Sequence, residues 1–149
     1  IGGHADQNRK PHDECFVYDL SAGRWSRIAS LPRPCGAVAC VALDGRLHAV
    51  GGAIGDTTPA KKSVDWHLAY DPRADRWEPR APLPTGRDHT GTLTVGNLIH
   101  VIGGRVDSFH TNSNLHHVYD GQKDRWEPRR PLPTARSGHG AVLYRDRIF

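Results

Sequence analysis

The stretch DRWEPRAPLPTGRDHTG, beginning at Asp75, returns 49 residues later as DRWEPRRPLPTARSGHG, beginning at Asp124. A blurred copy, GRWSRIASLPRPCGAVA, begins at Gly23, 52 residues before the first. Tandem self-similarity at a period near 50 is the feature that most limits what the chain can fold into, because it dictates a row of like modules.

Several markers keep phase within each unit. A double glycine recurs at Gly2-Gly3, Gly51-Gly52 and Gly103-Gly104, and a Tyr-Asp pair at Tyr18-Asp19, Tyr70-Asp71 and Tyr119-Asp120. Seven residues after each tyrosine stands a tryptophan: Trp25, Trp77 and Trp126. Six further on comes Leu-Pro, at Leu31-Pro32, Leu83-Pro84 and Leu132-Pro133. The interval from second glycine to tyrosine runs 15, 18 and 15 residues. Length variation is therefore confined to one loop.

Each unit reads as four short strands. Segments 36–43 and 47–52 flank the tight Asp44-Gly45 turn, a strong hairpin signal. The equivalent turns are Gly96-Asn97 and Arg145-Asp146. After the variable loop come a strand at 67–71, a turn at 72–75 and the tryptophan strand at 76–81. Apolar residues on both faces of LIHVIGG (98–104) require a sheet packed on both sides.

Composition agrees. An apolar content of 37% with 16 glycines and 11 prolines suits short strands and many turns. The net charge of +4 arises from 20 basic and 16 acidic residues that are interspersed, which speaks against a nucleic-acid footprint. Three cysteines are an odd number, and Cys35 and Cys40 read as opposite faces of one strand. A disulfide framework is not expected, a lean towards a reducing, cytoplasmic setting. No apolar run is long enough to span a membrane as a helix. Both ends fall inside the repeat, so the chain reads as a piece of a longer one.

Double glycine, Tyr-Asp, a tryptophan seven later and LPxxR leading into the next hairpin together resemble kelch repeats. The resemblance covers essentially the whole chain. It implies an all-β fold: a fragment of a kelch-type β-propeller with about three blade equivalents of four antiparallel strands each. On that reading residues 4–30 form an outer half-blade, 31–82 and 83–131 two blades, and 132–149 an inner half-blade. Arg87 and Arg136 fit the pattern, whereas Cys35 stands where the first unit's arginine belongs, and His48 and His100 replace the usual aromatic. Propellers carry about four to eight blades, so remaining blades or a second copy are needed to close the ring.

With strands lettered A to D outward from the axis, the B–C loop and the D–A connection meet at one mouth of the channel. Variable loops on a rigid scaffold carry recognition. The mouth then collects His4, Asp6, Asn8 and Arg9, the stretch 53–62, loop 105–112, and Arg33, Arg87, Asp88, His89, Arg136, Ser137 and His139. Arginines, histidines and amides around a concavity favour acidic or polyhydroxylated ligands. The ligand-facing candidates are Arg87, Arg136, Arg105, His110, Asn112, His89 and Ser137, with Phe109 as an apolar anchor. Arg87 and Arg136 recur in phase, so an architectural role competes with recognition. Gly51, Gly52, Gly103, Gly104, Tyr70, Trp77, Tyr119 and Trp126 read as structural, the tryptophans as packing between blades.

Chemistry finds little foothold. His116 and His117 are strand neighbours pointing to opposite faces, and no zinc-type spacing appears, so neither metal nor cofactor is expected. No nucleophile elbow, phosphate loop or dinucleotide fingerprint is present. The expected function is a recognition or scaffold propeller for a protein segment or a small acidic or sugar ligand. The alternative is a carbohydrate-acting enzyme, since the chain is similar to bacterial kelch proteins of the sialic-acid-epimerase-like and galactose-oxidase-like kinds. The copper oxidase's cross-linked tyrosine, second tyrosine and two histidines find no match here.

Overall fold

The computed structural model describes residues 1–4, 10–55, 61–108 and 110–149. Two four-stranded antiparallel meanders form its centre. The first contains β3 (Ala39–Leu43), β4 (Arg46–Val50), β7 (His67–Asp71) and β8 (Arg76–Pro79), in that spatial order. The second repeats it with β9 (Gly91–Val95), β10 (Leu98–Ile102), β11 (His116–Asp120) and β12 (Arg125–Arg129). Ahead of them stands a two-stranded sheet of β1 (Cys15–Asp19) and β2 (Arg24–Ile28), and after them one of β13 (Leu143–Tyr144) and β14 (Arg147–Ile148).

The strands are shorter than the repeat pattern suggests, because each double glycine ends its strand. Gly51 and Gly52 have φ of 63° and 104°, and Gly103 and Gly104 have 61° and 94°. A Cβ at Gly51 would lie 2.3 Å from the carbonyl oxygen of Arg87, so only glycine lets the two backbones approach. That approach is a recurring stitch between successive units. Gly3, Gly52 and Gly104 donate their N–H groups to Cys35, Arg87 and Arg136 carbonyls at 3.0, 2.9 and 2.8 Å. Cys35 is thus not a strand residue: it precedes β3 and is buried, while Cys40 inside β3 is exposed.

The outer strands are joined by a second recurring device. Trp77 Nε1 donates to the Ala29 carbonyl at 2.8 Å, and Asp75 accepts from the Ala29 N–H at 2.8 Å and from the Tyr70 hydroxyl at 2.8 Å. One unit on, Trp126 donates to Ala81 O at 2.8 Å, while Asp124 takes Ala81 N–H at 2.9 Å and Tyr119 OH at 2.7 Å. Each Tyr–Trp–Asp set therefore clamps the strand exit of the preceding unit. Burial opposes phenol ionisation and the neighbouring carboxylate adds to it, which pushes Tyr70 up to about 12 and keeps it a donor. The Asp of each Tyr-Asp pair closes its own turn: Asp71 Oδ1 accepts from the N–H of Arg73 and Ala74, and Asp120 Oδ1 from Gln122 and Lys123.

The core lies between sheets. Leu43, Val50, Leu83, Ile99, Val101 and Tyr119 form one buried cluster, with Trp126 and Ala81 packed on it. Cys15, Leu31, Cys35, Ala49 and Val64 form the other, against which Leu68 and Trp77 lie. The inner strands β3 and β9 touch, and the Thr94 hydroxyl donates to Ala42 O at 2.8 Å.

Candidate functional site

Both B–C loops and the D–A connections occupy one end of the sheets. In the first meander the B–C loop carries a small extra hairpin, β5 (Ala53–Ile54) with β6 (Lys62–Ser63), which the repeat pattern did not announce. In the second, isolated bridges pair Arg105 with Asp88 and with Asn112. Ser63 and Asp107 exchange bonds at 2.8 and 2.9 Å, joining the two B–C loops to each other.

At the centre of this end sits Asp88, with no exposed surface. Its carboxylate accepts from Ser63 Oγ at 2.7 Å, Arg105 Nε at 2.9 Å and Lys61 Nζ at 3.1 Å, and lies 2.5 Å from His89 Nδ1. Burial alone would raise the carboxyl, but these four partners outweigh it and hold Asp88 far below the ordinary carboxylate range. A carboxylate held ionised by four partners is a poor proton acceptor. Its work is to fix three loops, and the lysine and arginine around it leave the cluster cationic. Arg105 also reaches the His89 ring at 3.0 Å, and His89 holds a φ of 54° in the phase shared by Ala37 (51°) and Gly138 (65°).

The other candidates separate by depth. Arg87 is wholly buried: it donates to the Leu115 carbonyl at 2.9 Å and lies 3.1 Å from His117 Nδ1, while its Nε has no partner. Burial without a counter-charge holds its guanidinium down at about 10. Both of its partners belong to β11 or the residue just before it. Arg136, in the same phase, is exposed, as among the described residues β13 and β14 have no third strand beside them. His110 and Asn112 are exposed, and Asn112 accepts from the Ser137 hydroxyl at 2.9 Å, linking loop 105–112 to the next connection. His139 turns inward; Gly91 and Gly103 make room for its ring, and a Cβ at Gly91 would come within 2.7 Å of it. Asp6, Asn8, Arg9, residues 56–60 and Phe109 lie outside the described residues.

Two histidine pairs escaped the sequence reading. His48 Nδ1 meets His67 Nε2 at 2.8 Å, and His100 Nδ1 meets His116 Nε2 at 2.9 Å. His67 Nδ1 donates onward to Ala81 O at 3.1 Å, which fixes its tautomer and makes Nε2 the acceptor. The signal was there: the members of each pair recur in phase. His116 and His117 do part to opposite faces, one to His100 and the other to Arg87. Among the described residues no three His, Cys, Asp or Glu side chains gather as a metal site.

Antiparallel four-stranded sheets stacked face to face, stitched at their glycines and clamped at their tryptophans, are blades of a β-propeller. The solved structure of YjhT has the same fold: 99% of this chain superposes on 56% of that one with a TM-score of 0.80 at 16% identity. The repeats themselves are kelch repeats. The human Kelch repeat and BTB domain-containing protein 12 is 30% identical over 92 residues, 58% of this chain and 15% of that protein. Alpha-scruin of Limulus polyphemus is 31% identical over 115 residues, covering 77% of this chain and 12% of its own. Kelch domain-containing protein 7A of Mus musculus is 32% identical over 107 residues, covering 70% and 12%. The chain thus spans under a fifth of the length of these relatives. No family model matches it.

Proposed function

We propose that this kelch-repeat chain is a recognition module whose B–C/D–A end binds an acidic segment of a partner protein. The observation that carries the reading is the layering of that end. A saturated Asp88–Lys61–Arg105 cluster rigidifies the base, and the non-repeating loop above it exposes His110 and Asn112 beside half-exposed His89. Exposed Arg33 and Lys62 add positive charge on the same end. Rigid support under exposed polar donors lowers the ordering cost of binding, and cationic surroundings steer an acidic ligand. Arg87 and Arg136 are assigned to blade construction, and Asn112, His110, His89 and Ser137 to contact.

The test is fluorescence anisotropy with a labelled glutamate-rich peptide. His110→Ala and Asn112→Ala should each weaken binding about threefold to tenfold, the size of a lost polar contact, and leave the melting temperature unchanged. Unaltered affinity in both variants would move the site elsewhere. Turnover of galactose with added copper, or of N-acetylneuraminate, would replace this reading by the carbohydrate-enzyme one.

A further inference from the structure

The two tryptophan clamps share their indole, phenol and carboxylate bonds and differ in one further donor. Trp77 and Trp126 each donate to the carbonyl of a preceding strand exit, Ala29 or Ala81, at 2.8 Å. The Ala81 oxygen also takes His67 Nδ1 at 3.1 Å, from 14 residues earlier. At the same interval before Ala29 stands Cys15, a buried thiol in the apolar cluster that Trp77 joins. One clamp thus shares its acceptor with an imidazole, and the other does not.

That imidazole is half of a pair. His48 Nδ1 meets His67 Nε2 at 2.8 Å, and the two residues are only 4% and 2% exposed. The second blade supplies walls around them: the Tyr119 ring stands edge-on to His67 with centroids 4.3 Å apart, and the Trp126 ring lies 5.3 Å away. A carbonyl only accepts, so His67 gives Ala81 its Nδ1 proton, and His48 gives its own Nδ1 proton to His67 Nε2. The lone pair left to the neutral pair is on His48 Nε2. Among the described residues no carboxylate bonds either ring. Arg46 of β4 and Arg80 beyond β8 disfavour a further proton, whereas Asp44 of the A–B turn and Asp124 favour one. Asp124 is already engaged by Tyr119 OH and the Ala81 N–H. Burial is the largest influence and holds both imidazoles down at about 4.

We infer that the His48–His67 pair is a proton-operated catch on the seam between the two blades. A proton taken up there favours a local opening: His67 turns to water, Ala81 O loses its imidazole donor, and the Trp126 clamp slackens while both sheets keep their strand pairing. The cause is the cost of a buried imidazolium with no carboxylate in contact, which water admitted at the seam relieves. In the open seam the histidines regain their ordinary value of about 6.5. The open form therefore binds more protons below about pH 6.5, and opening grows more frequent as pH falls from there towards about 4. Trp77, with Cys15 in place of the imidazole, is the internal reference.

The test is hydrogen exchange at the two indole N–H groups of the chain, followed by NMR. The ratio of the Trp126 rate to the Trp77 rate cancels the intrinsic pH dependence of exchange. It should rise about tenfold between about pH 7 and about pH 5, with the far-UV circular dichroism spectrum unchanged. His48→Phe combined with His67→Cys installs the residues found at these phases in Phe149 and Cys15 and should leave the ratio flat. His100→Phe, at the corresponding place in the next blade, should leave the rise intact. A flat ratio in the wild type, a rise that persists in the double variant, a rise lost in His100→Phe, or loss of the far-UV spectrum over the same range would overturn the inference. Should the double variant not fold, the wild-type and His100→Phe ratios decide. The catch operates whatever the mouth binds.

Discussion

The two complete blades solve one packing problem with opposite chemistries. In the second, the residue that enters the inner strand from the connection is Arg87, and the C-strand residue facing it is His117. In the first, the same two phases hold Cys35 and Leu68, both in one apolar cluster. The backbone contacts are unchanged: Cys35 and Arg87 both offer their carbonyls to the second glycine of the unit before. What repeats is therefore the backbone stitch, and the side-chain slot is free to be greasy or polar provided both occupants change together. The histidine pairs differ in degree: His48 and His67 are buried, His100 and His116 only half so.

The clamp should dominate the energetics of both blades alike. Trp126→Ala and Trp77→Ala should each cost about 3–5 kcal/mol in urea unfolding, as large deletions from packed sites do. A loss below about 1 kcal/mol in either would show that the two blades are not held in the same way. Next comes the slot. Arg87→Ala should cost about 3 kcal/mol by leaving His117 Nδ1 without its partner beside a buried gap, while Leu115 O keeps the Gly103 N–H. Conversely, Cys35→Arg alone should destabilise the first blade by a similar amount, and Leu68→His added to it should recover part of that loss. No recovery would mean the polar pair depends on its own blade's surroundings.

Acid offers a third comparison. Burial, reinforced by nearby arginines, holds His48 at about 4, and burial does the same for His67 despite its bond to Ala81. The ordinary histidine value is about 6.5. With the folded pKa depressed, the folded state binds fewer protons, so this contribution is complete above pH 6.5 and lost as pH falls towards 4. Stability should drop by on the order of 3 kcal/mol across that window, measured as the urea midpoint at successive pH values. His48→Phe, which copies Phe149 in the same phase, should flatten the acid slope. An unchanged slope would put the acid response in the half-buried pair of the second blade. The smallest effect is expected at Cys40, which is exposed on β3: Cys40→Ser should stay within about 0.5 kcal/mol.

The repeat made the architecture legible because each marker does a backbone job: Gly51 must admit Arg87 O, and Trp77 must reach Ala29 O. Such tasks force both residue type and spacing. The mouth was legible only as a location. Nothing in the spelling of Lys61, Ser63, Asp88 and Arg105 says that they converge, since Lys61 and Asp88 are 27 residues apart and lie in connections of variable form. Arg87 shows the limit from the other side: the residue type pointed to a ligand, and the phase it shares with Arg136 pointed to construction. The pairings of His48 with His67 and of His100 with His116 were not legible because His116 is read against its sequence neighbour His117, whereas a sheet brings together residues on adjacent strands.

Each tryptophan clamp reaches backwards, Trp77 to a residue 48 positions earlier and Trp126 to one 45 earlier. A chain made on the ribosome emerges N-terminus first, so a module's exit strand cannot be locked until the following module's outer hairpin has left the tunnel. Commitment to the native state therefore trails synthesis by about one repeat.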